Sequence, residues 1–343
     1  MASSNTQANP RSSHSSATRR QAIPWPSGQP FRILALDGGG IKGIFSASIL
    51  ATLEAQLPQG GHLNRYFDLI AGTSTGGILA MGLGAEIPTR NLLELYLTKG
   101  AKLFPPGNAT TRLIRSIRRY FQVSFDATVL EGLLQETFAE LKIRDSKSRL
   151  CIPASEGRHG EIFVVKTPHH PDYHLDGDMP MVKVGLATGA APTFLKAVDE
   201  WGYRFVDGGI WANCPILVAV VEAMTAFDVT REQIQVLSIG CGGEPFVVTN
   251  SMATGGILRW RKVIDAAMNL QTQSALSQAR LLLGPDNVIR LEPRVTPAID
   301  LDDWARSSRE LPGEAESVLA GALVKVRTRF LQSPAHPATF FSR

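Results

Sequence analysis

The sequence predicts an α/β protein in which helices pack on a mostly parallel sheet. Two alternating units at its start carry this prediction. An apolar strand at 31–36, a glycine-rich turn and a helix are followed by a second strand, turn and helix between residues 67 and 84. Parallel strands joined through helices give this alternation. With 343 residues, 44% of them hydrophobic, the chain can bury the core of one large domain.

Apolar periodicity and turn residues predict the remaining elements in order. Residues 44–57 have helical periodicity, which Pro58 ends, and the chain is mostly helical from residue 89. Further helices are expected at 90–102, 110–121, 126–141, 182–189, 215–227, 256–283 and 314–331, and further strands at 150–153, 162–166, 203–206, 234–239 and 288–291. Since no repeat or linker interrupts them, one domain is expected over residues 31–331.

Both ends of the chain are expected to lie outside this domain. Residues 1–30 are rich in Ser, Asn, Gln and Pro and contain no acidic residue. Because such a segment offers few groups to bury, a disordered tail is predicted. Residues 332–343 are predicted to be a frayed C-terminal tail.

Bulk composition excludes several function classes. A net charge of +4 is too mild to indicate binding to DNA or RNA, and no apolar run approaches the roughly 20 residues of a membrane-spanning helix. The three cysteines, Cys151, Cys214 and Cys241, are scattered and lack CxxC spacing. They indicate neither a disulfide framework nor a zinc site, and they fit a reduced, cytoplasmic setting.

The first chemical motif is GTSTG at residues 72–76, between an apolar strand and a helix start. A Ser between glycines at such a turn is the nucleophile-elbow pattern. The turn strains the backbone of Ser74, and a side chain at Gly72 or Gly76 is expected to collide with a neighbouring strand or helix. Ser74 is therefore the candidate nucleophile, with the positive end of the following helix beneath it.

The glycine loop GGGIKG at residues 38–43 supports two interpretations. Its GxGxxG spacing after a strand is typical of dinucleotide binding. That use calls for an acidic residue on a second strand, and the nearby Glu54 lies inside the predicted helix. The alternative is an oxyanion hole, because successive glycine N–H groups at a helix start are fixed donors for a negative oxygen.

The third motif is DGG at residues 207–209, where Asp207 ends an apolar strand. Alone, this tripeptide is most often a turn. Catalytic carboxylates of open α/β sheets gather at strand ends, so Asp207 becomes a candidate when it is combined with the other two motifs.

Together these motifs resemble the three signatures of the patatin-like phospholipase family. They are DGGGIKG at 37–43, GTSTG at 72–76 and DGG at 207–209, and a fourth block, ATGAAPTF at 187–194, is similar to another segment of that family. Two residues depart from the family pattern. Lys42 stands where the family often has Arg, and Gly189 replaces an Ala- or Ser-like residue, which loosens the expected local geometry slightly.

The resemblance implies a three-layer α/β/α fold and hydrolysis of the acyl esters of membrane phospholipids. Ser74 would be the nucleophile and Asp207 the general base. The oxyanion hole would be formed by Gly38, Gly39 and Gly40, and the supporting motif glycines would be Gly43, Gly72, Gly76, Gly208 and Gly209. Neither a metal nor a cofactor is implied, because the glycine loop supplies the charge stabilisation.

The chain also resembles the phospholipase effectors of bacterial cyclic-oligonucleotide anti-phage systems (CBASS). That resemblance implies a cyclic dinucleotide activator and action at the membrane surface, and it leaves a homo-oligomer open. No motif identifies a nucleotide site.

Two alternatives stay open. The first is a Ser–His–Asp esterase. An α/β-hydrolase places these residues along the chain in the order Ser, Asp, His, and His336 is the one histidine that follows Asp207. His169, His170 and His174 precede Asp207 and are expected on a surface loop. The second alternative is a non-catalytic regulator that binds a nucleotide at the 38–43 loop.

A basic stretch is the last candidate site. Residues 95–125 contain no acidic residue, and Arg112, Arg115 and Arg119 share one face of the helix predicted there. Such a face is either simply solvated or a contact for anionic lipid or a phosphorylated effector. Lys42 in the glycine loop is a further candidate for this anion or membrane contact.

Overall fold

The computed structural model describes residues 20–106, 125–243, 247 and 263–341. Within them an eight-stranded sheet has the order β5-β6-β3-β2-β1-β7-β8, with β4 paired to β3. The strands are β1 Phe31–Leu36, β2 Leu69–Gly72, β3 Leu150–Glu156, β4 Glu161–Lys166, β5 Val198–Glu200, β6 Tyr203–Asp207, β7 Ile234–Ile239 and β8 Val288–Leu291. The pairs β1–β2, β1–β7, β2–β3 and β7–β8 are parallel, which confirms the mostly parallel sheet.

Helices cover both faces of this sheet. They are α1 Gly43–Glu54, α2 Thr75–Gly84, α3 Thr89–Glu94, α4 Gly100–Leu103, α5 Ala127–Phe138, α6 Met181–Thr188, α7 Gly209–Ala212, α8 Ile216–Ala226, α9 Val263–Leu283 and α10 Trp304–Phe330. A π-helical turn, Leu95–Lys99, joins α3 to α4. Within the described residues, no helix is both long and apolar enough to cross a membrane.

Strand β1 explains why two helical layers form. Successive side chains of a strand point to opposite faces. Leu34 and Leu36 belong to the core shared with α1, α2 and α10, whereas Ile33 and Ala35 belong to the core shared with α8 and α9. A strand buried on both faces must be apolar throughout, as the continuous run at 31–36 is. The three-layer α/β/α prediction is confirmed.

Some predicted elements differ from the structure. The short strand β5 was not expected, and α10 begins at Trp304 rather than at residue 314. The side chain of Asp303 accepts a hydrogen bond from Arg306 N at 3.1 Å and caps α10, which then continues through Pro312. The predicted helix at 110–121 lies outside the described residues.

The two tails also differ from the prediction in their described parts. Ile23 N donates to Ala226 O at 2.9 Å, and the ring of Trp25 lies 4.7 Å from that of Phe31, so residues 20–30 include packed chain. At the other end, His336 N donates to Asp68 Oδ1 at 2.9 Å. The prediction of a disordered tail up to residue 30 and a frayed tail from 332 is wrong for these residues.

Candidate active site

The three sequence motifs meet at one edge of the sheet. In the parallel β1–β2 pair Leu36 lies opposite Gly72, so the glycine loop and the GTSTG turn leave neighbouring strands side by side. Strand β6 brings Asp207 opposite Ala154 of β3. One small pocket is lined by Gly38, Gly39, Gly40, Ser74 and Asp207, together with Phe104, Gly189, Ala191, Phe194, Leu195, Asn213, Met268 and Leu301.

Ser74 has the backbone conformation expected of a nucleophile elbow. Its φ is 55° and its ψ is −122°, immediately before α2. Such strain is unfavourable for a residue with a side chain and persists only where the surroundings hold it. Thr188 supplies part of that support, since its Oγ1 accepts a hydrogen bond from Ser74 N at 2.9 Å and donates to Pro153 O at 2.6 Å. The fourth sequence block thus contributes a residue that holds the elbow.

The elbow glycines are required by close approach of backbone. A Cβ at Gly72 would lie 2.1 Å from Gly76 O, and a Cβ at Gly76 would lie 2.3 Å from Leu36 O on β1. Two further motif glycines are equally crowded: a Cβ at Gly43 would lie 2.3 Å from Thr75 Oγ1, and one at Gly208 would lie 2.4 Å from Pro153 O. Any larger residue would push the strand, the turn and the helix apart.

Asp207 lies at the end of β6 and is only 5% exposed. Its Oδ1 accepts a hydrogen bond from Gly209 N at 2.6 Å, and it lines the same pocket as Ser74. Burial raises the pKa of Asp207 to about 6, although the N–H of Gly209 and the side chain of Ser74 act to lower it. Because its pKa is near neutrality, the carboxylate is a stronger proton acceptor than an ordinary Asp.

The glycine loop offers two backbone donors rather than three. Gly38 N donates to Asn213 O at 3.0 Å, so this N–H is already engaged, contrary to its predicted place in an oxyanion hole. Among the described residues, the N–H groups of Gly39 and Gly40 have no acceptor. Gly40 has a φ of +56°, and a Cβ there would lie 2.5 Å from Leu301 O, so glycine is needed at this position.

A second loop, at residues 240–243, supports the glycine loop from behind. A Cβ at Gly39 would lie 2.3 Å from Cys241 Cβ, and Lys42 Nζ donates to Gly242 O at 2.6 Å. Lys42 is only 7% exposed. The position of Lys42 therefore does not support the predicted anion or membrane contact, because its ammonium group is used inside the protein.

Sequence reasoning missed a buried ion pair beside the same loop. Arg290 Nη2 lies 2.6 Å from Asp37 Oδ2, and Arg290 Nη1 donates to Ser238 Oγ at 2.8 Å. Both members of the pair are at least nine-tenths buried. Since Asp37 directly precedes Gly38, Arg290 ties the start of the glycine loop to β8. The available signal was a charged residue inside an otherwise apolar strand at 288–291.

The histidines of the described residues are not placed for a triad. None of those in the described ranges lines the pocket. His336 contacts Asp68, which precedes β2, whereas Ser74 follows β2. The four residues of β2 separate these positions by roughly 13 Å. His169 and His170 are buried, at 0% and 2% exposure, and so do not lie on the expected surface loop.

One buried cluster has metal-ligand residue types. Donor atoms of Cys151, His169 and Glu222 lie within 4.8 Å of one another. Glu222 is already satisfied, since it accepts hydrogen bonds from His169 Nε2 at 3.1 Å, from Lys166 Nζ and from the hydroxyl of Tyr173. Burial opposes ionisation, but the hydrogen bonds from His169 and Lys166 outweigh it and lower the pKa of Glu222. His169 and Glu222 are thus already engaged in hydrogen bonds, with the ammonium group of Lys166 beside them.

Three of the predicted contact residues cannot be placed. Arg112, Arg115 and Arg119 lie outside the described residues. Phe104 lines the pocket, and its ring centroid lies 5.1 Å from that of Phe125.

Comparison with known proteins gives a consistent result. The sequence model named patatin-like phospholipase matches residues 34–220. A cGAMP-activated phospholipase from Pseudomonas aeruginosa is 35% identical over 273 residues, which are 78% of this chain and 79% of that protein. Proteins of the same name from Escherichia coli and Vibrio cholerae are 34% and 33% identical, over 64% and 65% of this chain and 65% and 68% of their own lengths.

The chain is also similar to a more distant plant protein and, weakly, to a solved bacterial structure. Patatin-like protein 1 from Oryza sativa is 26% identical over 90% of this chain and 86% of its own length. Among solved structures, VipD from Legionella pneumophila gives a TM-score of 0.41 at 13% identity, over 89% of this chain and 71% of VipD. The family match covers more than half of the chain and all of the motifs at the sheet edge up to Asn213, and the chain therefore belongs to the patatin-like phospholipase family.

Proposed function

We propose that this patatin-like phospholipase cleaves the acyl esters of membrane phospholipids with a Ser74–Asp207 dyad. The position of Ser74 and Asp207 in one pocket, where the side chain of Ser74 interacts with the Asp207 carboxylate, carries the proposal. It pairs a candidate nucleophile with a carboxylate whose pKa is raised to about 6 by burial. A nucleophile in contact with a base of suitable pKa is the arrangement that covalent ester hydrolysis needs.

The reaction then proceeds in two halves. Ser74 Oγ attacks the ester carbonyl carbon while Asp207 takes the hydroxyl proton, and Asp207 returns that proton to the departing lysolipid oxygen as its C–O bond breaks. Water next attacks the acyl-enzyme and passes a proton to Asp207. The proton returns to Ser74 Oγ as the fatty acid leaves. Atoms and charges balance without a metal or another co-reactant.

The negative oxygen formed in each half requires donors. Gly39 and Gly40 have N–H groups without acceptors in the described chain, beside Ser74 in the same pocket. We assign the oxyanion hole to these two donors. Rigid donors aimed at the developing charge stabilise a transition state by about 3–4 kcal/mol each.

We further propose that a cyclic dinucleotide of the cGAMP type activates the enzyme, in bacterial anti-phage defence. Support comes from relatives named cGAMP-activated phospholipase, which are 33–35% identical to this chain. Low lipase activity alone and strong activity with cGAMP are expected. Equal activity in the two conditions would reject this part of the proposal.

A variant panel tests the dyad on a fluorogenic ester and on phospholipid vesicles, each with and without cGAMP. We expect Ser74→Ala and Asp207→Asn each to lower kcat at least 1,000-fold, because each removes a group that acts at the reacting atoms. Asp68→Asn is the matched control. Asp68 is also buried with a pKa raised to about 6 by desolvation, but it lies at the opposite end of β2. Loss of turnover in His336→Ala would favour the Ser–His–Asp triad, and full turnover in Asp207→Asn would exclude Asp207 from either mechanism.

The pH profile provides an independent check. Asp207 must be ionised to accept the proton, so kcat should fall tenfold per pH unit as the pH drops below about 6, the pKa to which burial raises it. Asp68→Asn should keep this profile. A rate that stays constant from pH 7 to pH 4.5 would contradict Asp207 as the base. Binding of cGAMP without any ester hydrolysis would favour the non-catalytic regulator.

A further inference from the structure

We infer that the surface beside the pocket formed by α7 and the first half of α9 docks on the phospholipid bilayer. This α7–α9 surface comprises Ile210 of α7 and the exposed residues Ala267, Leu270, Gln273 and Ser274 of α9. The inference rests on the proposed function, because a site that cleaves membrane lipids must meet the membrane with its pocket facing it.

Both helices are parts of the pocket mouth. Helix α7 begins two residues after Asp207, and Met268 of α9 lines the pocket. Hydrogen bonds hold α9 against the chain that follows α7: Gln271 Oε1 accepts from Cys214 N at 3.2 Å, and Asn213 Nδ2 donates to Thr272 Oγ1 at 3.1 Å. The exposed residues of these helices therefore lie beside the pocket that contains Ser74.

Large apolar side chains are exposed on both helices. Ile210 and Leu270 are each 48% exposed. Ala267, Leu270 and Ser274 follow one another at spacings of three and four residues and so share one face of α9. Single exposed apolar residues are ordinary. Two of this size at the rim of one pocket indicate a surface that is covered when the enzyme works.

The α7–α9 side of the pocket mouth carries no charged residue, whereas Lys196 and Asp302 follow pocket residues on its other side. Residues 208–214 and 266–274 contain no Asp, Glu, Lys or Arg in 16 positions. At the chain average of 19% charged residues, about three would be expected. Charged groups are costly to bring into a bilayer because they lose hydration. The exposed polar groups of α9, among them Gln273 and Ser274, are neutral and able to hydrogen-bond lipid headgroups.

The occupant follows from the position of the opening. A protein partner seated on α7 and α9 would cover the route to Ser74, whereas a bilayer would deliver the ester through it. A neutral, apolar rim is as compatible with zwitterionic lipid as with anionic lipid. Docking should therefore depend on apolar contact and respond weakly to salt.

Vesicle flotation tests this docking directly. The protein carries Ser74→Ala so that phosphatidylcholine vesicles stay intact, and each sample is run with and without cGAMP. We expect Ile210→Glu and Leu270→Glu each to lower the ratio of bound to free protein at least fivefold. The control is Leu281→Glu, which introduces the same charge on the same helix at a residue that is 85% exposed. It should bind like the parent.

The possible results are decisive. Unchanged binding of both Ile210→Glu and Leu270→Glu, an equal loss in Leu281→Glu, or no binding of the parent in either condition would overturn the inference. A change in oligomeric state by sedimentation velocity, with vesicle binding unchanged, would assign the surface to a second copy. If a Glu variant melts early, Ile210→Ser and Leu270→Ser replace it. Because binding is measured on an inactive background, failure of the Ser74–Asp207 dyad would leave this result interpretable.

Discussion

Gly39 illustrates how one missing side chain shapes the oxyanion loop. Its φ of −178° is extended backbone that any residue adopts, so the requirement for glycine is one of space. A Cβ at this position would lie 2.3 Å from Cys241 Cβ and 2.6 Å from Cys241 Sγ. We expect Gly39→Ala to displace the N–H groups of Gly39 and Gly40 and to lower kcat about 100-fold with little change in KM, as measured on the fluorogenic ester.

Both obstructing atoms belong to the side chain of Cys241, so a second substitution at that residue should restore activity. Cys241→Gly removes both of them, so the double variant Gly39→Ala/Cys241→Gly should recover at least tenfold of the lost kcat. Gly321→Ala in α10 is a control, because nothing lies within 4 Å of its Cβ position. A Gly39→Ala enzyme with full activity would refute the assignment of the oxyanion donors.

The residues at this site were predictable to different degrees. Ser74 and Asp207 stood out because each occupies a strand end beside glycines, and the structure brings them together. Lys42 and Gly38 were misjudged because a sequence motif does not reveal which loop packs behind it. Arg290 was missed for a related reason, since a partner 253 positions away from Asp37 leaves no local signal.

At the scale of elements, local sequence patterns were reliable where the residues of one strand or helix alone determine which of its faces are buried. The run at 31–36 is a strand buried on both faces, and the sequence alone predicts it to the residue. Helix α10 was predicted ten residues short, since the prediction begins at residue 314, after Pro312, whereas the Asp303 cap sets the true start. Strand β5 is three residues long and pairs only with β6, so its existence depends on a tertiary partner.

Three elements together close the pocket with aromatic rings. Phe104 follows α4, Phe125 precedes α5, and Phe194 follows α6. The Phe125 ring lies 5.1 Å from that of Phe104 and 6.2 Å from that of Phe194. The cavity beside them is about 60 Å³, whereas pockets that hold a ligand measure about 300–1,000 Å³. A long acyl chain therefore requires these rings to separate.

Truncation of this cluster should change chain-length preference. We expect Phe194→Ala and Phe104→Ala each to raise the ratio of kcat/KM for a palmitoyl ester to kcat/KM for a butyryl ester about fivefold. The reason is that about 1 kcal/mol for displacing the rings is no longer required. Parallel assays of the two p-nitrophenyl esters measure this ratio. Phe340→Ala, which truncates a partly buried ring away from the pocket, should leave it unchanged. A fall in the ratio would show that the rings bind the chain rather than obstruct it.

At the scale of the whole molecule, residues near the two ends of the described chain contact each other where strands β1, β2 and β3 begin. This is the opposite end of the strands from the pocket. The ring of Trp25 lies 5.1 Å from that of His336. Arg32 Nη1 donates to Ser333 O at 2.6 Å, and Arg149 Nη2 donates to Pro337 O at 3.1 Å. These contacts join residues distant in sequence, so composition predicted disorder where tertiary packing gives order.

Removal of the C-terminal segment should therefore weaken the fold and spare the chemistry. Deletion of residues 332–343 leaves the buried Arg149 and Asp68 without their partners in this segment, which should cost about 2–4 kcal/mol of unfolding free energy. Thermal and urea unfolding measure the loss, and kcat on the soluble ester below the transition should stay within twofold. His336→Pro against His336→Ala isolates one contact, because only proline removes the N–H that Asp68 accepts. Deletion without any loss of stability would show that these contacts contribute nothing, and an equal loss of kcat would show that the two ends of the strands are coupled.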